Sequence, residues 1–303
     1  MQLSSWGSNS RIDHAVSKTL TGPYTFKDVA VPTWSHNAAP IALHDGTFAI
    51  VHIGTGTGSA TGGSNCTTKP LDAGWMPQLH TFQSYRKAGA AVAAAAAAAE
   101  VSPAAAGSTI HVSKSLEGPW LPLSPNTLGG CNNPAPWVHA NGTIYIVCGG
   151  SFMRSESISG PWKTVATFSH TGGPAGAYED PFLYNTDRGY HLIYHVYNTG
   201  ENPPHGHECA NSTVSAHAFS ADGFSWHMSA TSPYGTQVAL ANGTTVTVAT
   251  RERPKLWFDA EGKMTHLFNG VCSAEDCPNG PSTGCVDCKY ANWDYTLVQP
   301  LDV

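Results

Sequence analysis

One hairpin is written four times along this chain, and that repetition constrains the fold more than any single motif. The copies are "HNAAPIALHDGTFAIVHIG" from His36, "NNPAPWVHANGTIYIVCGG" from Asn132, "YEDPFLYNTDRGYHLIYHV" from Tyr178 and "RERPKLWFDAEGKMTHLFNGV" from Arg251. Each has polar residues, a proline, a short apolar strand, an Asp/Asn/Gly turn and a second strand. Aligning Pro40, Pro136, Pro181 and Pro254 puts Gly46, Gly142, Gly189 and Gly262 in the turns. Six residues beyond the glycines lie His52, Cys148, His195 and Phe268, which predicts a common register through the second strand.

A second repeat interleaves with the first. It reads "HAVSKTLTGPY" at 14–24, "IHVSKSLEGPW" at 110–120 and "MRSESISGPW" at 153–162, with a degenerate copy "AHAFSADGFSW" at 216–226. Each supplies a third strand, a Gly-Pro turn and an aromatic residue opening an outer strand. A four-stranded unit recurring in this way predicts an all-β fold, a β-propeller, as one domain over 1–303. The stretch "RKAGAAVAAAAAAAEVSPAAAGS" at 86–108 has no amphipathic face and reads as a low-complexity insertion between the first two units.

Composition agrees. Charged residues make up only 12%, against 31 glycines and 21 prolines, which is turn-rich rather than helical or disordered. The net charge of −6 comes without a basic run, so nucleic acid and anionic membrane surfaces are not expected partners. No apolar stretch is long enough to span a bilayer as a helix. The eight cysteines and the sequons at Asn65, Asn141, Asn211 and Asn242 predict a secreted, disulfide-bonded glycoprotein. The run Cys272, Cys277, Cys285, Cys288 has irregular spacing for a zinc ribbon, so two local disulfides in a loop over 272–288 are expected.

The strand-proline hairpins followed by "S-x-S-L-x-G-P-W" resemble the five-bladed propellers of glycoside hydrolase family 43 and its relatives. That resemblance implies a glycosidase with a carbohydrate substrate and carboxylates converging on a central funnel. In the family one Asp before a Pro is the general base. A second Asp-Pro two blades on tunes the acid, and a Glu two residues before a Pro is the general acid. Inverting hydrolysis needs this division: one carboxyl group protonated for the leaving oxygen, another ionised to activate water, with a third charge to hold the acid's pKa up.

Carried over by position, Asp180 before Pro181 matches the Asp-Pro element. Glu252 lies two residues before Pro254, and Glu179 two before Pro181. Ala39 falls where the first-blade Asp would sit, and Asn37 and Asn133 are the nearest polar residues. Four inner hairpins against five blades, with "WGSNSRIDHAVSKTLTGPYTF" reading as an outer half-blade, suggest an incomplete first blade. On that count Glu179 is the acid; without it, Asp180 is the modulator and Glu252 the acid. The alternative class is a carbohydrate-binding propeller that lacks the base.

The candidate catalytic residues are thus Glu179, Asp180 and Glu252. Asn37, Asn133, Tyr178, Trp137, Arg251 and Arg253 are candidates for contacting sugar. Since strands alternate their side chains, only one of Glu179 and Asp180 is expected to face the funnel, with Arg251 or Arg253 holding the other. For His52, His195 and His266 a packed, hydrogen-bonded role is the simpler expectation, and Trp120 and Trp162 are expected to pack between blades. No cofactor is expected, a structural cation such as calcium in the central channel being the one exception compatible with the fold. A monomer is expected.

Overall fold

The computed structural model describes residues 10–57, 107–124, 128–167, 178–196, 214–240, 242–273 and 295–301. These contain strands and turns and no helix, as the repeats require. A two-stranded sheet, β1 (Ile12–Val16) with β2 (Thr25–Val31), comes first. Four antiparallel four-stranded sheets follow. The first holds β3 (His36–Ala42), β4 (Phe48–Ile53), β5 (Ser108–Ser113) and β6 (Leu121–Pro122). The second holds β7 (Ala135–Val138), β8 (Ile144–Cys148), β9 (Ser151–Ser155) and β10 (Lys163–Thr167). The third holds β11 (Tyr178–Thr186), β12 (Gly189–Val196), β13 (Ser215–Ser220) and β14 (His227–Met228). In the fourth, β15 (Gln237–Ala239) pairs with the start of β16 (Thr245–Phe258), whose second half pairs with β17 (Met264–Ser273), and β17 with β18 (Tyr295–Pro300).

Successive sheets stack face to face through apolar side chains. Val51 and Ile110 meet Leu128 and Ile146. Val147 and Phe152 meet Leu183, Leu192 and Tyr194. Tyr184 and Ile193 meet Leu267. Each fully buried aliphatic side chain contributes roughly 1.5–3 kcal/mol, so these layers, not the hairpins alone, hold the sheets in a propeller arrangement. The two-stranded sheet joins in the same way, with Val31 against Ile50. Its strands flank a Gly-Pro turn, as do strands three and four of the first two blades; four complete blades are found among the described residues.

The Gly-Pro turns are built alike. Gly22, Gly118 and Gly160 have φ of 85°, 80° and 85°, the left-handed region that costs a side-chain-bearing residue most. Trp120 and Trp162 pack partly buried against the apolar layers, as expected. Asn141 and Asn242 sit exposed in hairpin turns.

A disulfide joins Cys131 to Cys148, stapling the approach to β7 onto the end of β8. Most of the alanine-rich insertion lies outside the described residues. So do Cys277, Cys285 and Cys288 and the side chain of Cys272, and with them the expected local pairings.

Buried serines make a repeat that the sequence did not announce. Ser108, at the start of β5, donates to the carbonyl of Cys131 at the approach to β7 (2.9 Å). Ser215, at the start of β13, donates to the carbonyl of Tyr234 ahead of β15 (2.5 Å). Ser10, just before β1, lies 3.1 Å from Nδ1 of His36 at the start of β3. Each of these third strands thus holds the entry to the next sheet.

Candidate active site

Among the described residues, four with side chains adopt positive φ: Asn37 (53°), Asn133 (48°), Asp180 (50°) and Arg253 (51°). Each stands at the entry of one hairpin, so the four are structurally equivalent. Such a conformation is uncommon for a residue with a Cβ and persists where surrounding structure imposes it. In three of the hairpins it accompanies a bulge: the pairing skips between His36 and Ala39, between Glu179 and Phe182, and between Glu252 and Lys255, while Asn133 stands just before its strand begins.

This corrects the proline alignment. Pro134, Pro181 and Pro254 follow the positive-φ residue in three hairpins, and Ala38 takes that place in the first. Pro40 and Pro136 lie two residues further on. Asn37, not Ala39, therefore stands at the position equivalent to Asp180. The common register of the second strands also fails by a residue or two, because the hairpins differ in length. Glu179 is opposite His195, His36 is opposite Ile53 and Glu252 is opposite Gly270.

The four positive-φ residues converge. Nδ2 of Asn37 donates to Oδ1 of Asp180 (2.7 Å) and to Oδ1 of Asn133 (3.0 Å). An ionised carboxylate only accepts, which fixes the amide's orientation. Nε of Arg253 lies 3.9 Å from Oδ2 of Asp180. Arg253 also ion-pairs with Glu252 and reaches Nε2 of His36 at 3.4 Å. The last contact brings β16 back to β3 and closes a polar ring across four sheets.

Beside the ring stand the residues one position earlier: His36, Asn132, Glu179 and Glu252. Asp180 and Glu252 are each 2% exposed, while Glu179 is half-buried. The bulge breaks the strand alternation, so the expectation that Glu179 and Asp180 point apart is corrected. One ligating atom from each of Glu179, Asp180 and His195 falls within 4.8 Å of the others. His195 Nδ1 is 3.8 Å from Oδ2 of Asp180, an ion-pair distance rather than a hydrogen bond.

The two adjacent carboxyl groups are driven in opposite directions. Burial and the neighbouring charge of Asp180 push Glu179 up to about 7. Burial also opposes ionisation of Asp180, but Arg253, His195 and His36 outweigh it and hold the group well below the usual carboxylate range. His195 is raised: burial disfavours its cation, yet Asp180 and Glu252 more than compensate. His36 is lowered to about 3 by burial and by Arg253. Oε1 of Glu252 is buried with no hydrogen-bond partner among the described residues. Such an atom is costly unless water or a ligand hydroxyl meets it.

Glu179, Asp180 and His195 could together hold a cation. Calcium, however, takes six to eight oxygen ligands, and Arg253 already sets a guanidinium against Asp180.

The other candidates fall elsewhere. Arg251 is not at the ring. Buried at 1% exposure, it donates to Asn269 (2.9 Å), Gln299 (2.9 Å) and the carbonyl of Gly235 (2.9 Å), and covers the ring of Tyr234 at 4.6 Å. Asn269 in turn donates to the carbonyl of Glu252 (3.3 Å), so Arg251 acts on the site through its support. Tyr178 is half-buried beside Tyr194 at 5.7 Å. Trp137 packs its edge against Phe258 at 5.7 Å, between sheets. His52 is packed as expected, 2.8 Å from Nδ1 of His111. Two participants were missed in sequence. His36 had a legible signal, the polar residue before the bulge. Lys255 had none; it lies over Phe182 at 5.7 Å, and burial lowers it to about 8.

No protein-family model and no curated protein matches the chain. Solved structures do. A single-residue mutant of the family-43 glycoside hydrolase protein BlXynB from Bacillus licheniformis superposes with a TM-score of 0.53 at 14% identity, over 98% of this chain and 49% of that one. This chain thus spans about half the length of that protein. A thermostable family-43 glycoside hydrolase gives a TM-score of 0.51 at 10% identity, over 88% of this chain and 77% of that one. An endo-1,4-β-xylanase from Bacteroides thetaiotaomicron gives 0.50 at 12% identity, over 88% and 78%. Sheet stacking, the ring of positive-φ residues and these superpositions agree: the chain is a β-propeller of the kind found in glycoside hydrolase family 43.

Proposed function

We propose that the protein is a glycoside hydrolase that cleaves O-glycosidic bonds of an oligo- or polysaccharide at the carboxylates of the polar ring. The observation that carries this reading is the pair Glu179 and Asp180, adjacent in sequence and with carboxyl oxygens within 4.8 Å of each other, one buried against Arg253 and the other half-buried. Glu179 is the general acid: half-buried, and protonated up to near-neutral pH. Asp180 is the permanently ionised neighbour whose charge keeps that proton in place. Glu252, ion-paired with Arg253, is the second carboxylate, positioned for water through its unpartnered oxygen. Asn37 holds Asp180 and is itself bonded to Asn133; Asn133 offers its amide to sugar hydroxyls, and Tyr178 offers a ring face. The reading places the protein among secreted, monomeric enzymes.

The catalysis works without a covalent intermediate in this reading. Glu179 gives its proton to the glycosidic oxygen as the bond to the anomeric carbon breaks. Water attacks that carbon from the opposite face, and Glu252 takes the water's proton.

The presence of Asn37 rather than an aspartate at the first-hairpin position equivalent to Asp180 favours a second reading, a carbohydrate-binding propeller without turnover. Leaving-group kinetics separate the two. With Glu179→Gln, Asp180→Asn and Glu252→Gln, activated and unactivated glycosides are compared. The general acid loses far more activity on the poor leaving group than on the good one. Near-normal turnover in all three variants would remove the catalytic reading, and sugar binding without any turnover in the parent protein would establish the second.

A further inference from the structure

A concave cleft of about 510 Å³ opens on the β11–β14 sheet, lined by His191, His217, Phe219, His227, Arg188 and Asp222 among others. It lies at the far end of the β11–β12 hairpin from the ring: six residues of strand separate Asp180 from Thr186, about 20 Å. The cleft therefore shares no residue with the candidate active site.

Its floor is a row of flat rings. Tyr184, His191, Phe219 and His227 are direct cross-strand partners in β11, β12, β13 and β14. Tyr184 stacks on His191 at 4.9 Å, and His191 lies edge to edge with His217, centroids 5.3 Å apart and planes only 8° apart. Phe219 continues the row at 6.0 Å from His217 and 5.7 Å from His227.

Cross-strand aromatic pairs stabilise sheets wherever they occur. That accounts for the buried Tyr184 but not for Phe219, which is 41% exposed inside a concavity. The volume lies in the range of small-ligand sites.

The ring nitrogens of His191 are both engaged, one 3.1 Å from Thr186 Oγ1 and the other 3.1 Å from His217 Nε2. The His191 imidazole thus presents its face rather than a lone pair. Burial and the neighbouring His217 lower His191 to about 4, and burial lowers His217 too. At the rim, Asp222 is fixed by accepting from the amides of Phe224 (2.7 Å) and Ser225 (2.8 Å). Arg188 supplies donors to the same rim.

A flat floor of rings with polar groups at its rim matches a sugar: apolar C–H faces on the rings, hydroxyls to the rim. We propose that this cleft is a second, non-catalytic carbohydrate-binding site, which stacks a neutral glycan chain on Phe219, His217 and His227. Its choice of ligand rests on the reading of the protein as carbohydrate-active. Its location does not.

The test uses the full chain with the Glu179→Gln substitution, which prevents turnover, titrated calorimetrically with neutral xylo-, arabino-, galacto- and cello-hexaose. At least one is expected to bind at two sites. Adding Phe219→Ala should weaken one of them about tenfold or more, as loss of a stacking ring does, while Phe219→Trp restores it. Ser229→Arg, which fills the cleft from its side, serves if Phe219→Ala does not fold. In the otherwise native enzyme, Phe219→Ala should leave turnover of a short glycoside unchanged. Unaltered hexasaccharide binding in the Phe219 and Ser229 variants, no hexasaccharide binding in the cleft, or Phe219-dependent binding of adenosine monophosphate in place of sugar would overturn the proposal. If the parent chain turns over no glycoside yet binds hexaose through Phe219, the catalytic reading fails and the cleft stands. If turnover depends on Glu179 while Phe219 has no effect on binding, the cleft fails alone.

Discussion

Asn37 gives one amide group to two acceptors, Asp180 at 2.7 Å and Asn133 at 3.0 Å, and so ties three sheets together at a single side chain. Replacing it with Asp would set a second carboxylate against a buried, ionised one. Asn37→Asp is expected to destabilise the fold by several kcal/mol at neutral pH, since an unpaired buried charge costs that much. Part of the loss should return on acidification, as one of the two groups takes a proton. Denaturant melts at neutral and acid pH check this, and a pH-independent loss would count against an ionised Asp180.

Glu179 carries the clearest pH signature. With its group raised to about 7, activity should fall as pH climbs through that value and the acid loses its proton. The charge of Asp180 is one cause of the shift, so in Asp180→Asn any residual activity should show the alkaline limb moved to lower pH. A limb that stays in place would show burial alone to be responsible.

The same group makes a stability prediction with a definite sign. The folded state holds Glu179's proton more tightly than the unfolded chain, whose ordinary value is 4.5. Stability from this group is complete below that value and is lost as pH rises towards 7. Asp180 acts oppositely: its contribution is present above the ordinary carboxylate range and disappears on acidification. Unfolding free energies of the parent and Glu179→Gln, measured across this window, should diverge, with the variant gaining relative stability as pH rises.

Removal of the Cys131–Cys148 bond should cost about 3 kcal/mol, the usual value for a loop closed by a sequence separation of 17. Because Cys131 lies two residues before Asn133, activity should fall along with stability. Chemical denaturation and turnover of Cys131→Ala/Cys148→Ala test both.

Arg251→Lys should not rescue Arg251→Met. The guanidinium serves Asn269, Gln299 and Gly235 at once, a fork that an ammonium does not reproduce. Each variant is expected to lose roughly 2 kcal/mol or more, since hydrogen bonds to a charged group are broken in the interior. Thermal melts decide it.

The repeat made the strands, the turns and the all-β class readable before any coordinates, because hairpins are local and their turn residues are specific. The chemical types at the ring were readable too: Asn37, Asn133, Asp180 and Arg253 all appear in the quoted hairpins. Their register was not. Prolines two residues apart look equivalent in sequence, and only the bulge, set by pairing with the second strand, shows that Ala38 rather than Pro40 corresponds to Pro181. Arg251 and Arg253 look interchangeable in "RERP", yet one is locked under Tyr234 and the other reaches Asp180. The serine clips and Cys131–Cys148 join segments across loops, and residue spacing alone carries no trace of them.

Those serines have a bearing on how the molecule comes apart. Ser10 and Ser108 fasten the thresholds of β3 and β7, which lead into Asn37 and Asn133 of the polar ring, and Ser215 fastens Tyr234 ahead of β15. A sheet that detaches therefore loosens its successor's hold on the centre as well as its own. Partial loss of one blade should not leave a working remainder. The chain is wired in series, like lamps on one circuit, so catalytic competence and global folding are expected to vanish together in a single cooperative step.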